Sequence, residues 1–546
     1  MIKKEIKNEI NNILKLNFED YSISQPPKFQ NYDFAINLLA ILSKKLKKNP
    51  EELSNDIIEK LQKSNLIENI EFAKPCFLNF NISKKRLFKE IIKILNDGNK
   101  YPVIEKLCNT EKVLLEFVSA NPTGPLHIGH ARCADLGDSL ARIFTKLGYV
   151  VKTEYYVNDV GNQIYSFVGS VMDKCKEIDP NFLNFQEKEK LNKIIKKNFY
   201  KGEYIKDIAF KIIKEYKDKK HNYEILTKNI VNEILKLIKD DLIQFRVNFD
   251  NWIFESDFHK SGEIDKVIKI LKQKQIVYEK DNALWFKSTV EGDEKDRVLV
   301  RKTGEKTYFA SDIAYHVNKF NRGFDRIINI WGADHHGYVK RLSSAMKLLG
   351  YDEKKLNIIL YQLVSLKKNN IPIAMSTRAG EFITLREVIN EIGIDATRFF
   401  LLTRTPDTVI EFDLQLAKKQ STENPVYYIQ YAHTRCCGIL KQAQEIDSEY
   451  TEKILSYLNL DEEILLMKKL LFFPEILNTC ISNLSPHYLT SYLLDLSSIF
   501  HSYYDKYRVI GEEKNISKAR LLLVKSVKIV LSSGLELLGI TAPEKM

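Results

Sequence analysis

The chain lacks any run of about 18 or more uncharged apolar residues, the length a membrane-crossing helix needs. Its first residues, Met1 to Glu9, form a charged helix start without the apolar core of a secretory leader. Membrane and secreted classes are therefore not expected. Cysteine is sparse: Cys76, Cys108, Cys133, Cys175, Cys436, Cys437 and Cys480 give no C-x-x-C pair and no His/Cys cluster with zinc spacing. The expectation is a reduced, cytoplasmic protein without structural zinc. Solenoid-length repeats and low-complexity tracts are also missing, which leaves an ordinary multidomain globular protein.

What is present starts with size. At 546 residues the chain exceeds what one core supports, about 250 to 300 residues, and should divide into several domains. The formal net charge of +11 suits a polyanionic partner such as nucleic acid, although enrichment in Lys, Asn and Ile accounts for it equally well. Residues 1–105 read as a small α+β module, with helical spacing at Ile6, Ile10, Ile13 and Leu14, a second helix from about Phe34 to Lys47, and strand alternation at Leu78, Phe80 and Ile82. Over 106–394, strand-like runs at Val113 to Val118, Val150 to Tyr156, Arg326 to Trp331 and Asn357 to Val364 alternate with helical stretches. That is the pattern of a parallel sheet with crossover helices. A Lys-rich, largely helical stretch over 170–297 reads as an insertion. Residues 395–546 are almost wholly helical, with apolar spacing through Ile464 to Leu471, Tyr488 to Phe500 and Leu521 to Leu538.

The most informative stretch is Ser119-Ala120-Asn121-Pro122-Thr123-Gly124-Pro125-Leu126-His127-Ile128-Gly129-His130, which follows the first apolar run. It reads as strand, tight turn, helix start. Unpaired amides and the helix dipole favour an anion there, and His127 and His130 can donate to phosphate oxygens. The plainer alternative is a surface turn whose histidines cap a helix.

This stretch resembles the nucleotide-binding signature of class I aminoacyl-tRNA synthetases, and in its full length the arginine-specific family. Similar segments are Glu154 to Gly161, Tyr308 to His316, Trp331 to Gly337, Asn424 to His433 and the terminal Leu537 to Met546. The resemblance implies a multidomain α/β protein: a doubly wound parallel-sheet (Rossmann-like) catalytic domain, an N-terminal α+β module touching the tRNA elbow, and a C-terminal all-α anticodon-binding bundle. It implies the ATP-dependent attachment of L-arginine to tRNA(Arg) through arginyl-adenylate. ATP should arrive with Mg²⁺, and a monomer is expected.

Roles follow residue by residue from the resemblance. His127 and His130 contact ATP phosphates, and Gly129 leaves room for the nucleoside. Thr123, Asp334 and His335 line the ATP site. The second class signature corresponds to Ala374-Met375-Ser376-Thr377-Arg378, with both lysine positions changed. Met375 is placed at ATP, while Ser376 and Arg378 act in catalysis, Arg378 neutralising the departing pyrophosphate. Lys367 and Lys368 are alternative cations, or a solvated turn. Asp312 receives the guanidinium with Tyr308 in the same pocket, since a planar carboxylate suits a forked donor. Ser119, Asn121 and Glu116 bind the other end of arginine. Alone, Asp312 would read as a helix cap and Glu116 as an outward strand residue. Tyr427, Tyr428 and Tyr431 are candidates to stack on bases, Arg435 to pair with phosphate, and Met546 to lie near the anticodon. Taken singly, each tyrosine also reads as core packing. Two rivals stay open: a class I enzyme for another amino acid, and a silent paralogue that binds tRNA, suggested by the two changed loop lysines.

Overall fold

The computed structural model describes residues 2–16, 20–26, 31–103, 111–182, 200–216, 222–368, 371–373, 383–443 and 450–546. Its centre is a five-stranded parallel sheet of β1 (Lys112–Glu116), β2 (Val150–Val157), β3 (Asn251–Phe254), β4 (Arg326–Gly332) and β5 (Leu356–Tyr361), in the order β5-β4-β1-β2-β3. Val113 to Glu116 of β1 are all buried, as a middle strand covered on both faces requires. The strand order reverses between β1 and β4, so the crevice beyond their carboxyl ends is where a ligand fits. The segments leaving both strands open there. They lead into α1 (Ile128–Lys146) and, past Asp334, into α3 (His336–Leu349); α2 (Tyr308–Asn321) precedes β4.

The first predicted strand stops two residues early. Val118 and Ser119 have φ of 68° and 40°, left-handed values that a β-branched side chain rarely takes. Local bonds hold them: the Val118 N–H donates to Cys133 Sγ at 3.1 Å, and the Ser119 hydroxyl accepts the Tyr156 N–H at 3.1 Å. Backbone strain kept by surrounding bonds is a mark of functional turns. The Asn357 to Val364 run also divides. β5 ends at Tyr361, and Val364–Lys368 joins a separate sheet with Ile371–Ile373 and Ile410–Asp413.

Residues 170–297 are not simply a helical insertion. They contain the helices Glu203–Tyr216 and Tyr223–Gln244, but also edge strand β3 and the strands Val277–Lys280 and Ala283–Phe286, which form an antiparallel sheet with Arg297–Val300 at the end of the segment. Four-residue strands carry too little periodicity to stand out in a charged stretch.

The N-terminal module pairs four strands antiparallel, in the order Ile23–Ser24, Phe34–Ile36, Phe77–Ile82, Ile67–Ala73, against helices including Ile2–Leu14 and Leu38–Leu46. The helix expected from Phe34 begins at Leu38, because Phe34, Ala35 and Ile36 are buried and pair with Phe77–Ile82. The C-terminal part is helical as expected. It runs from α4 (Ile394–Leu401) through α5 (Pro425–Gln442), Asp461–Leu471, Phe473–Ser482 and His487–Lys506 to α6 (Lys514–Leu537). One hydrophobic core runs from the N-terminal module through the parallel sheet into this bundle, and a smaller one lies under α2 and α3.

Candidate active site

His127 is the N-cap of α1. Its Nδ1 accepts the backbone N–H of Gly129 at 3.1 Å and of His130 at 3.4 Å, while Nδ1 of His130 accepts the His127 N–H at 3.4 Å. Two imidazoles thus make a capping box. With both Nδ1 atoms accepting, each neutral ring carries its proton on Nε2. Burial lowers the pKa of His127 and takes that of His130 well below the usual histidine range, so both rings stay neutral. Capping and phosphate binding are therefore compatible: one nitrogen caps, and the other presents the N–H. The rings stack with centroids 3.7 Å apart. A Cβ on Gly129 would lie 3.0 Å from the His127 ring, so the glycine also permits this stacking.

The rim of the crevice is built from several segments. Thr384 forms an isolated bridge with His127, and the Leu385 N–H donates to the Leu126 carbonyl at 2.7 Å. The chain leaving 374–382 is thereby fastened beside the histidines. Met375, Ser376 and Arg378 lie outside the described residues. Lys367 pairs with Glu411 at 2.6 Å. Thr123 is buried, and its carbonyl accepts the Tyr204 hydroxyl at 3.0 Å. Asp334 and His335 are exposed just beyond β4.

The neighbouring pocket is acidic. Thr307 occupies the N-cap position of α2, so Asp312 is not the cap but lies one turn after Tyr308, where it accepts the Tyr338 hydroxyl of α3. Burial raises its carboxyl to about 7. Glu255, directly after β3 and 2% exposed, is likewise raised to about 7, chiefly by burial and further by the charge of Asp312. Among the described residues neither carboxyl forms an ion pair with Lys or Arg. The imidazole of His259, 3.6 Å from Glu255, is itself pushed towards neutrality by burial.

The segment after β2 shapes this pocket. In the amide orientation that satisfies both ends, Asn158 donates to Glu255 Oε2 at 2.9 Å, and Asp159 accepts the Ser256 N–H at 2.9 Å. Gly161, at φ +90°, leaves the space for the Tyr308 hydroxyl, which a Cβ would meet at 2.2 Å. The Tyr156 hydroxyl is buried without a hydrogen-bond partner among the described residues.

Glu116 is 5% exposed rather than outward-facing. It accepts the Ser119 hydroxyl at 2.9 Å and pairs with the buried ammonium of Lys319. Asn121 is exposed at the rim and donates to Gln163 at 2.7 Å. No group of three His, Cys, Asp or Glu side chains arranged to hold a metal occurs among the described residues.

In the helical bundle, Tyr431 stacks with Tyr427 and with His501, and Arg435 sits 4.8 Å from the ring centroids of both Tyr431 and Tyr504. Arg435 also donates to His501 Nδ1 at 3.0 Å. Tyr427 lines a cavity of about 470 Å³ with Lys418, Asn424, Gln430 and Met546.

Comparison with known proteins places the chain in a family. A model described as tRNA synthetases class I (R), catalytic domain, matches residues 90–432; an arginyl tRNA synthetase N terminal domain matches 1–82, and a DALR anticodon binding domain 429–546. The arginine–tRNA ligase of Carboxydothermus hydrogenoformans is 44% identical over 535 residues, covering 96% of this chain and 94% of the relative. The chain belongs to the arginyl-tRNA synthetase family. The arginine–tRNA ligase of Aquifex aeolicus is 40% identical across the full length of both chains. The arginyl-tRNA synthetase of Thermus thermophilus shares the fold, with a TM-score of 0.77 at 22% identity over all of both chains.

Within that family frame, the fold brings His127 and His130 together, and it groups Tyr308 and Asp312 beside Ser311 and Tyr338. Glu116 and Ser119 meet directly, and Tyr427, Tyr431 and Arg435 form one contiguous surface. Glu255, Tyr156 and Tyr338 were not singled out from the sequence as pocket residues. Their alignment with Asp312 is purely tertiary, and only the placement of Tyr156 within the segment Glu154 to Gly161 hinted at it.

Proposed function

We propose that this site joins L-arginine to ATP as arginyl-adenylate and then passes the arginyl group to the terminal ribose of tRNA(Arg). The observation that carries the arginine assignment is the pair Asp312 and Glu255: two enclosed carboxyls that form no ion pair with Lys or Arg among the described residues. A guanidinium offers a planar fork of donors and a permanent charge to such a pair, whereas an ammonium leaves acceptors unmatched. Membership of the family supports the reaction.

In the activation step the arginine carboxylate attacks the α-phosphate of ATP in line, and pyrophosphate leaves. The protein's task is to position the reactants and meet the developing charge. His127 and His130 donate from Nε2 to phosphate oxygens, and each such donor is worth about 2.7 to 4 kcal/mol in the transition state. Thr123, Gly129, Asp334, His335 and Met375 are assigned to ATP, and Ser376 and Arg378 to the leaving pyrophosphate. Tyr308 and Asp312 hold the guanidinium; Glu116, Ser119 and Asn121 hold the α-amino end. Mg²⁺ comes bound to ATP, and no step is assigned to a protein-held metal. In the second step the ribose hydroxyl attacks the arginyl carbonyl and AMP leaves.

Residues 1–105 are assigned to the tRNA elbow, 106–394 to catalysis, and 395–546, with Tyr427, Tyr431, Arg435 and Met546, to the anticodon. A cytoplasmic monomer whose activation step requires bound tRNA completes the reading.

The test is aminoacylation of total tRNA by the purified chain across a panel of labelled amino acids. ATP-dependent charging with arginine alone is expected, and Asp312→Ala should abolish it while sparing tRNA binding. Retained tRNA binding without charging of any amino acid would establish the silent paralogue instead.

A further inference from the structure

Beneath the acidic pocket lies a buried ammonium that the reaction scheme does not use. Lys319 is 0% exposed, seven residues after Asp312 and so two turns further along the same side of α2. Its Nζ contacts Glu116 Oε2, donates to Asn329 Oδ1 of β4 at 2.8 Å, and rests 4.3 Å from the Tyr315 ring centroid. The chain of bonds continues in both directions. Asn329 Nδ2 meets His316 Nε2 at 2.7 Å, and His316 Nδ1 donates to the Asp312 carbonyl at 2.8 Å. On the other side Glu116 Oε1 accepts the Ser119 hydroxyl, which in turn accepts the Tyr156 N–H. One buried network therefore spans from the residue assigned to the guanidinium to the residues assigned to the α-amino group.

Charge balance in this layer is selective. The other buried carboxylate of the sheet, Glu154, is neutralised by Arg322 at 2.5 Å and takes the Tyr315 hydroxyl at 2.7 Å. Glu116 is matched by Lys319. Asp312 and Glu255 form no ion pair with Lys or Arg among the described residues. A buried carboxylate deprived of its counter-ion is strongly disfavoured, so removal of the Lys319 ammonium leaves Glu116 protonated or turned away. Neither state is a good acceptor for a substrate ammonium.

We propose that Lys319 is a positioning residue for arginine activation: it acts through Glu116, holding that carboxylate and the Ser119 turn in the geometry that receives the α-ammonium of arginine. This rests on the reading of the pocket as an arginine site. The Lys319 ammonium touches no substrate itself and offsets a charge at the floor of the pocket.

The experiment is a double-variant cycle on the full-length chain in tRNA charging. Lys319→Gln should raise KM for arginine by about 30-fold or more, the scale on which truncating one partner of a buried charge pair is felt. KM for ATP and for tRNA should stay near the wild-type values. Glu116→Gln should raise KM for arginine as well, and the double variant Glu116→Gln/Lys319→Gln should be no worse than Glu116→Gln alone, because Lys319 then has no charge to hold. Lys319→Arg, which keeps the cation, should recover part of the loss.

An unchanged KM for arginine in Lys319→Gln overturns the proposal, as does a double variant that loses the full product of both single effects. If Lys319→Gln does not fold, the comparison of Glu116→Gln with the charge-neutral double variant still decides. A wild-type chain that does not charge arginine removes the functional reading itself, whereas normal wild-type charging with an indifferent Lys319 removes only this inference.

Discussion

Asp312 and Glu255 make the pocket a proton-linked site. Burial raises each carboxyl from the ordinary carboxylate range to about 7; the charge of Asp312 lifts Glu255 further, and that of Glu116 lifts Asp312. Only the ionised forms receive a guanidinium, which keeps its own proton at all working pH values. Consequently kcat/KM for arginine should rise with pH through about 7. Stability of the empty protein moves the opposite way. A carboxyl with a higher pKa in the folded chain holds a proton that the unfolded chain has released, so its stabilising contribution is complete below the unfolded value near 4 and is lost as pH rises through 7. Asp312→Asn should reduce kcat/KM for arginine by about 10²-fold or more and remove part of this pH dependence from thermal melts of the empty protein. A variant melting profile as steep as the wild type between pH 5 and 7 would show that Asp312 is not one of the raised groups.

Helix α1 carries both a structural and a chemical duty on one side chain, and the two can be separated. Asn is among the best N-cap residues, so His127→Asn should keep the cap and the melting temperature while lacking the Nε2–H. His127→Ala should lose both, destabilising by about 0.5 to 2 kcal/mol in addition to its activity loss. Each should slow activation by about 10²- to 10³-fold, measured as tRNA-dependent pyrophosphate exchange; full exchange in a normally folded His127→Asn would remove His127 from phosphate binding. The same contrast explains what could be read in the sequence. The turn at His127 and His130, the strand-like runs of β1, β2 and β4, and the helical spacing of α6 are local patterns, so they are legible along the chain. Phe34 to Ile36 misleads because three consecutive apolar residues fit a buried strand or a helix equally, and pairing with Phe77–Ile82 decides between them. Glu255 and Lys319 gain their character from neighbours brought by other elements: Asp312 of α2 for Glu255, and Glu116 of β1 with Asn329 of β4 for Lys319. Strand β3 itself, with four residues, has too few positions to show a period.

The whole molecule is fastened at one buried cation that ties the catalytic sheet to the C-terminal tail. Arg398 of α4 is 0% exposed and pairs with Asp138 at 2.6 Å and Asp135 at 3.0 Å, both on α1, the helix that begins at His127. It also donates to the carbonyls of Leu538 at 2.7 Å and Phe245 at 2.9 Å. Gly539, at φ +65°, lets the tail approach: a Cβ there would lie 2.4 Å from the guanidinium. Next to this hub Asp395 takes Arg246 at 2.6 Å and Gln430 at 2.8 Å, and Gln430 lies on α5, the helix of Tyr431 and Arg435. The histidine helix, the tail and the aromatic surface of the bundle thus meet around two residues one turn apart on α4. Replacing Arg398 by Met keeps apolar volume but strands the fully enclosed Asp135, whereas Asp138 keeps Arg142 at 2.7 Å, and breaking a buried pair in this way costs about 3 to 5 kcal/mol. Urea unfolding should show that loss, and adding Asp135→Asn to Arg398→Met should restore part of it, since the stranded charge is then gone. If the second change instead adds its own full penalty, the stability comes from packing and backbone hydrogen bonds around Arg398, and the charges are incidental to how the domains hold together.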